Sequence, residues 1–233
     1  LLAIGGGFAA GIVTAILNTK FKILHLLASI LTMIALYSVN IRIMGGPNIA
    51  LLGTPTVFDP VIALGIAPHY AGLLVFGAGA LIVSAAIIWF LRTELGQAIL
   101  ATGDNPQMIT ALGVNTHFII IIGVGLSNAL VALSGALIAQ NQGAADVGMG
   151  IGTIIAGLAS VIVGETIFGT KSMARAIIAA VLGSVVYRLA IALALGLEFG
   201  RFSFNPSDLN LITALLVIGA LIAPNLKRKM VAK

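Results

Sequence analysis

Six long stretches of this chain contain no Asp, Glu, Lys or Arg: Leu1–Thr19, Ile23–Ile41, Pro60–Leu91, Asn105–Ala145, Val147–Gly164 and Leu209–Leu226. A helix needs about 20 mostly apolar residues to cross the ~30 Å hydrocarbon core of a bilayer. Several runs reach that length, and Asn105–Ala145 exceeds it. Inside hydrocarbon every backbone N–H and C=O must be paired within the protein, which leaves helices and closed barrels. No segment shows the apolar/polar alternation of barrel strands. Only 8% of the residues are charged, against about 25% in a soluble domain. The 28 glycines suit close helix contacts in lipid. The expected fold is therefore an all-α polytopic membrane protein.

The same composition excludes other classes. The net charge is +5, but the basic residues sit at the ends of apolar runs. They form no stripe with exposed aromatics, so no nucleic acid partner is expected. With no Cys there is neither a disulfide framework nor a thiolate metal site. His25, His69 and His117 are scattered, and metal sites need clustered ligands. No metal site, no catalytic residue and no cofactor bound by this chain are expected. The chain also lacks a G-x-x-x-x-G-K-[ST] phosphate loop, so it cannot power transport by itself in the usual way.

The runs predict seven spans, near 1–17, 23–39, 71–91, 118–139, 152–168, 172–194 and 209–223. The second and fifth are short and rich in small residues, as tilted, broken or re-entrant segments are. Lys and Arg in short loops mark the cytoplasmic side. Placing the tail "KRKMVAK" inside and alternating backwards gathers Lys20, Lys22, Arg92, Lys171, Arg175, Lys227, Arg228, Lys229 and Lys233 on that side. Only Arg42 and Arg201 stay outside, and Arg188 falls within a span. This arrangement puts Leu1 outside, which leads to the expectation of one more helix upstream. The outer segments 40–70 and 195–208 carry Pro47, Pro55, Pro60, Pro68 and Pro206, punctuation typical of ordered turns. They are either plain connectors or a surface for an extracytoplasmic partner.

A faint internal repeat accompanies this topology. A shift of 124 residues lays Phe8–Asn18 over Ala132–Gln142, and Ile30–Gly45 over Ile154–Gly169. Ile30/Ile154, Ala35/Ala159, Val39/Val163, Ile43/Ile167 and Gly45/Gly169 coincide. The topology runs the two copies in opposite directions, as in the inverted repeats of transporters.

One stretch breaks the apolar pattern, Ala101–Asn115, "ATGDNPQMITALGVN". Asp104 or Asn105 can serve as N-cap, because a short side-chain oxygen accepts from free backbone N–H groups. Pro106 suits the first helical position. Gly113 can take the left-handed conformation that closes a helix. The predicted object is a short cytoplasmic helix over 104–113, too short to stand alone. It is either a connector lying at the interface or a docking element. Met108, Ile109 and Leu112 would face protein or lipid, leaving Asp104, Asn105 and Gln107 for polar contacts.

The longer stretch "LRTELGQAILATGDNPQMITALGVN" resembles the cytoplasmic coupling segment of ABC-transporter permeases of the branched-chain amino acid and ribose type. The shared pattern is Arg92, Gly96, Ala101, Gly103, Asn105, Pro106 and Gly113-Val114, with Ala111 a looser match. "LSNALVALSGALIAQNQGAADVGMGIGTIIAGLASVIVGE" is most similar to a tryptophan/tyrosine-type subset, and the likeness covers nearly the whole chain. The resemblance implies a single transmembrane permease domain over 1–233, with a coupling segment at 92–117 that contacts the ATPase through Gly103, Asp104, Asn105, Pro106 and Gly113. It also implies a permease dimer, cytoplasmic ABC ATPase subunits that bind ATP, and an extracytoplasmic solute-binding protein.

Polar residues inside spans are costly and mark candidate pathways. Here they are Tyr37, Ser38 and Asn40 at the end of the second span, and Ser127 and Asn128 in the fourth. Gln140, Asn141, Gln142 and Asp146 lie at the fourth span's outer end. For each, a helix–helix hydrogen bond or a loop contact is the competing role. Arg188 has two readings: a counter-charge for a solute carboxylate beside Tyr187, or a side chain that snorkels or pairs with Glu198 or Asp208. Glu165 is placed to pair with Lys171 or Arg175. The expected function is the permease subunit of an ATP-driven importer in a prokaryotic cytoplasmic membrane, multi-pass with an inside C-terminus, moving a small polar solute such as an amino acid. An ion-coupled secondary transporter or channel is the alternative, weakened because Asp and Glu sit almost entirely at span ends.

Overall fold

Glycine and alanine at four-residue spacing organise the first helix. The computed structural model describes residues 1–65, 67–151 and 153–196. Helix α1 (Leu2–Thr19) buries Gly11, Ala15 and Thr19, and Gly7 lies one turn before them. This stripe packs on α7 (Thr116–Gln142). A Cβ on Gly11 would lie 2.7 Å from the Val124 carbonyl O and 2.8 Å from Gly125 Cα, and one on Gly7 would meet Asn128 and Ala132. Residue 7 thus faces 128–132 and residue 11 faces 124–128, so the helices run antiparallel. Backbones touch because lipid offers no hydrophobic drive between helices and small residues maximise dispersion contact.

Helix α2 (His25–Met44) returns beside α1. It buries Ala28 and Thr32, and the Thr14 hydroxyl donates to Thr32 Oγ1 at 3.0 Å. The intervening turn is closed by Ile23 N–H to Leu17 O (3.2 Å) and Asn18 Nδ2 to Ile23 O (2.8 Å). The second span is therefore a continuous helix of 20 residues, neither broken nor re-entrant. It ends at Gly45, whose φ of +73° only glycine adopts freely.

The chain then forms β1 (Asn48–Ala50), α3 (Asp59–Ala63), α4 (Pro68–Leu91), α5 (Glu94–Asp104) and α6 (Pro106–Ala111) before α7. After α7 comes β2 (Ala144–Asp146), antiparallel to β1 with Ile49 opposite Ala145. This small sheet corrects the purely all-α expectation. It ties the C-terminal ends of α2 and α7 together, and Leu51 N–H to Gly143 O (2.8 Å) extends the clasp. These elements form one compact unit, residues 1–149.

The other unit, from Gly150 onward, contains α8 (Thr153–Phe168) and α9 (Met173–Gly196), packed on each other. A Cβ on Gly164 would meet Ala179 O and lie 3.1 Å from Gly183 Cα, while one on Gly183 would meet Ser160 O. Again the pairing is antiparallel through small residues.

Among the described residues five helices are long and apolar enough to cross a membrane: α1, α2, α4 (from Tyr70), α7 and α9. The predicted fifth span is α8, and its 16 residues extend about 24 Å at 1.5 Å per residue, less than the ~30 Å core. Gly169, at φ +74°, stops it early. Five of the seven expected spans thus have a helix of crossing length among the described residues, and the last, 209–223, lies outside them. In the repeat, α1 and α7 do run antiparallel, while α2 and α8 belong to different units.

Candidate coupling surface and polar route

The α1/α7 register defines two ends of the first unit. At one end lie the turn after α1, the start of α7 and the α5–α6 pair. Exposed Lys20, Lys22 and Arg92 belong to this basic end. At the other end lie the β1–β2 sheet and Arg42.

The basic end carries two short helices where the sequence suggests one. Thr93 caps α5: its Oγ1 accepts from Gly96 N–H at 3.3 Å. Asp104 is the last residue of α5, so Asn105 is the cap of α6, its Oδ1 accepting from Met108 N–H at 3.0 Å. Asn105 itself is extended (φ −151°, ψ 91°), which turns α6 away from the axis of α5. Pro106 occupies the first helical position, and Gly113 at φ +84° closes the segment. Asn115 then caps α7, accepting from Phe118 N–H at 3.2 Å.

Within α6 only Ile109 is buried, 7% exposed. Gly103, Asp104, Asn105, Pro106 and Gln107 are exposed, as are Met108 and Leu112 at 49% and 71%. Of the three apolar residues expected to face protein or lipid, Ile109 is buried within this chain, while Met108 and Leu112 point out from it. What results is a surface with a polar rim and two apolar side chains, delimited by caps at both ends.

The polar route residues divide by what they already bind. Gln140 Oε1 accepts from Val57 N–H at 2.9 Å, pinning the loop whose Phe58 ring meets Phe76 of α4. Asp146 Oδ1 accepts from Gly148 N–H at 2.6 Å in the turn after β2. Asn128 Nδ2 donates to Val124 O at 3.0 Å against the glycines of α1. Tyr37, Asn40, Ser127, Asn141 and Gln142 are exposed, and their side chains have no hydrogen-bond partner among the described residues. Tyr37 and Asn40 sit one turn apart on one face of α2. Ser127 lines an apolar groove of about 470 Å³ between α1, α4, α5 and α7. Asn141 Oδ1 lies close to Gly72 of α4.

On α9, Tyr187 is buried at 6% exposure, whereas the neighbouring Arg188 is exposed. Glu198 and Asp208, its suggested partners, lie outside the described residues. Glu165 is exposed, and no ion pair joins it to Lys171 or Arg175 among the described residues. The pairing suggested for it is not formed among the described residues. No group of three His, Asp or Glu side chains that could hold a metal occurs among the described residues.

A model of the family described as branched-chain amino acid transport system / permease component matches residues 1–223. The chain belongs to this permease family. It is 43% identical over 226 residues to a tyrosine transport system permease protein of Clostridioides difficile, covering 97% of this chain and 72% of that protein. An uncharacterized Rickettsia prowazekii protein is 30% identical over 92% of this chain and 74% of its own length. An autoinducer 2 import system permease protein of Yersinia pseudotuberculosis is 26% identical over 95% of this chain and 60% of its own length. No solved structure matches the chain significantly.

As a permease of this family the chain is a multi-pass membrane transport protein. Helix α5 lies within the 92–117 segment, where the sequence analysis resolved only one helix, and its signal was present. Thr93 before Glu94 is a cap with an acid in the first turn. Leu95, Ala98, Ile99 and Thr102 then recur at helical spacing.

Proposed function

We propose that this chain is the membrane-spanning subunit of an ATP-driven importer that carries a small polar solute, an amino acid, into a prokaryotic cell. The observation that carries the reading is the exposed, doubly capped α5–α6 surface at the basic end. By the charge rule that end faces the cytoplasm, where an ATPase would meet Asp104, Asn105, Pro106, Met108 and Leu112. Extended Asn105 brings the chain into that helix and Gly113 lets it leave, with Gly103 exposed beside its start. ATP would bind on the partner chains, two permease copies would enclose the path, and a solute-binding protein would deliver at the β1–β2 end. The C-terminus would then also lie inside.

Amino acid as the solute class is supported by the tyrosine permease relative. In this reading Tyr37, Asn40, Ser127, Asn141 and Gln142 supply uncommitted donors and acceptors to the passing solute. Gln140, Asp146 and Asn128 hold the frame around them, and Arg188 snorkels from α9. Alternating access then follows if the ATPase binds one conformation better than the other.

Gentle purification of the tagged chain from its native membrane tests the proposal. An ATPase subunit should co-purify, and Met108→Asp with Leu112→Asp should release it. Solute uptake by the chain in vesicles without any ATPase would refute it.

A further inference from the structure

The α4–α5 bend is closed by a cluster of backbone and side-chain hydrogen bonds. Arg92 N–H donates to Trp89 O at 3.1 Å, Thr93 N–H to Phe90 O at 2.9 Å, and Gln97 N–H to Thr93 O at 2.9 Å. The Thr93 hydroxyl donates to Phe90 O at 2.6 Å while accepting from Gly96 N–H. Gln97 Nε2 donates to Leu91 O at 2.5 Å. Gly96 lies against the last turn of α4: a Cβ there would meet Phe90 O and fall 2.5 Å from Leu91 Cα and 2.9 Å from Leu91 C. All three contacts are backbone, so no side chain can swing aside.

The far end of α5 differs. It is joined to α6 through the single extended residue Asn105, and Gly103 has open space around it. Between its ends α5 rests on α7, with Ile99 Cγ2 3.5 Å from the Cβ position of Gly123. A push on α6 thus reaches a rod that is clamped to α4 and laid along α7.

We infer that Gly96 is a positioning residue that makes α4 and α5 one rigid elbow, so that displacement of α6 moves α4 and α7 instead of being absorbed at the bend. The inference rests on the α5–α6 surface being the ATPase contact. Glycine is required because only its missing Cβ lets α5 fold onto the final turn of α4.

The test replaces Gly96 with Ala in the complex as purified, with Gly79→Ala on α4 as control, a site with no neighbour within 4 Å. ATPase subunits should still co-purify, since residues 105–112 are unaltered. Solute moved per ATP hydrolysed should fall about 10- to 100-fold, as misplacement of about 1 Å far from a reacting centre does. Gly79→Ala should keep the original ratio. The chain has no Cys, so spin labels at Gly103→Cys on α5 and Leu81→Cys on α4 report the elbow angle without crossing the Asn105 joint. Their distance distribution should be narrow with Gly96 and broadened or shifted with Ala. An unaltered transport-to-ATP ratio, or an unaltered distance distribution, in Gly96→Ala would overturn the elbow. If Gly96→Ala does not accumulate, Thr93→Ala loosens the same bend without adding volume, and an unchanged ratio there would overturn it equally. Failure of the unsubstituted chain to capture any ATPase would overturn the proposed function instead, and the label distances would still decide the elbow.

Discussion

Gly11→Ala and Gly6→Ala are the same chemical change on the same helix, and the structure predicts opposite signs. In a helix, alanine is more favourable than glycine by about 1 kcal/mol. Gly6 is exposed with nothing within 4 Å of its Cβ position, so Gly6→Ala should realise that gain or be neutral. At Gly11 the new Cβ would lie 2.7 Å from Val124 O, 2.8 Å from Gly125 Cα and 3.0 Å from Asn128 Cβ. Ordinary contact begins near 3.4 Å, so α1 and α7 must part by several tenths of an ångström. A gap of about 0.5–1 Å forfeits a quarter to a half of each dispersion well along the seam. Overpacking of this kind costs about 1–3 kcal/mol. The propensity gain is common to both variants, so they should differ by the overpacking cost, roughly 1–3 kcal/mol. Sodium dodecyl sulfate titration of the purified chain in mild detergent, followed by circular dichroism, reads the order of their unfolding midpoints. A Gly11→Ala midpoint equal to or above that of Gly6→Ala would refute the backbone-contact account of the α1–α7 seam.

Three further outcomes are expected. Asn105→Ala removes the acceptor for Met108 N–H and should destabilise α6 by about 1 kcal/mol, seen as faster amide exchange over residues 106–111 and weaker ATPase capture; unchanged exchange would contradict the cap. Ile49→Cys with Ala145→Cys should oxidise readily to a disulfide in this cysteine-free chain, because the two face each other across the sheet and facing strand residues lie about 4.5–5.5 Å apart. Failure to cross-link in membranes would mean the clasp is not formed there. Arg188→Gln should leave uptake and solute affinity unchanged if the side chain snorkels, and a loss of affinity for a carboxylate solute would return it to the route.

Helix α6 was legible almost residue by residue, because caps are local chemistry. Asn105, Pro106 and Gly113 act within a few positions of themselves, so their order along the chain nearly fixes the result. The second span was misjudged for the same local reason: Tyr37, Ser38 and Asn40 look like the end of an apolar run, yet the helix continues to Met44. A helix whose backbone is satisfied internally tolerates polar side chains near a membrane surface. For Gln140 and Asp146 the sequence left two roles open, solute route or loop contact. Only the approach of the Val57 and Gly148 backbones shows that both bind loops.

The sequence by itself determined that this chain lives in a bilayer, where α6 starts and stops, and which end carries the positive charge. Each of these depends on short-range composition and on transfer free energy summed over one segment. Which glycines touch a neighbour was decided by the tertiary structure. Gly6 and Gly11 are alike in sequence, yet one faces open space and the other the backbone of α7. The same holds for Gly96, which in the sequence is one residue of a shared pattern and in the structure lies against the backbone of the last turn of α4. In lipid, helices associate through contact geometry and not through apolarity, which every face shares. Apolarity is therefore written into the chain, while the seams between helices are set by register and approach.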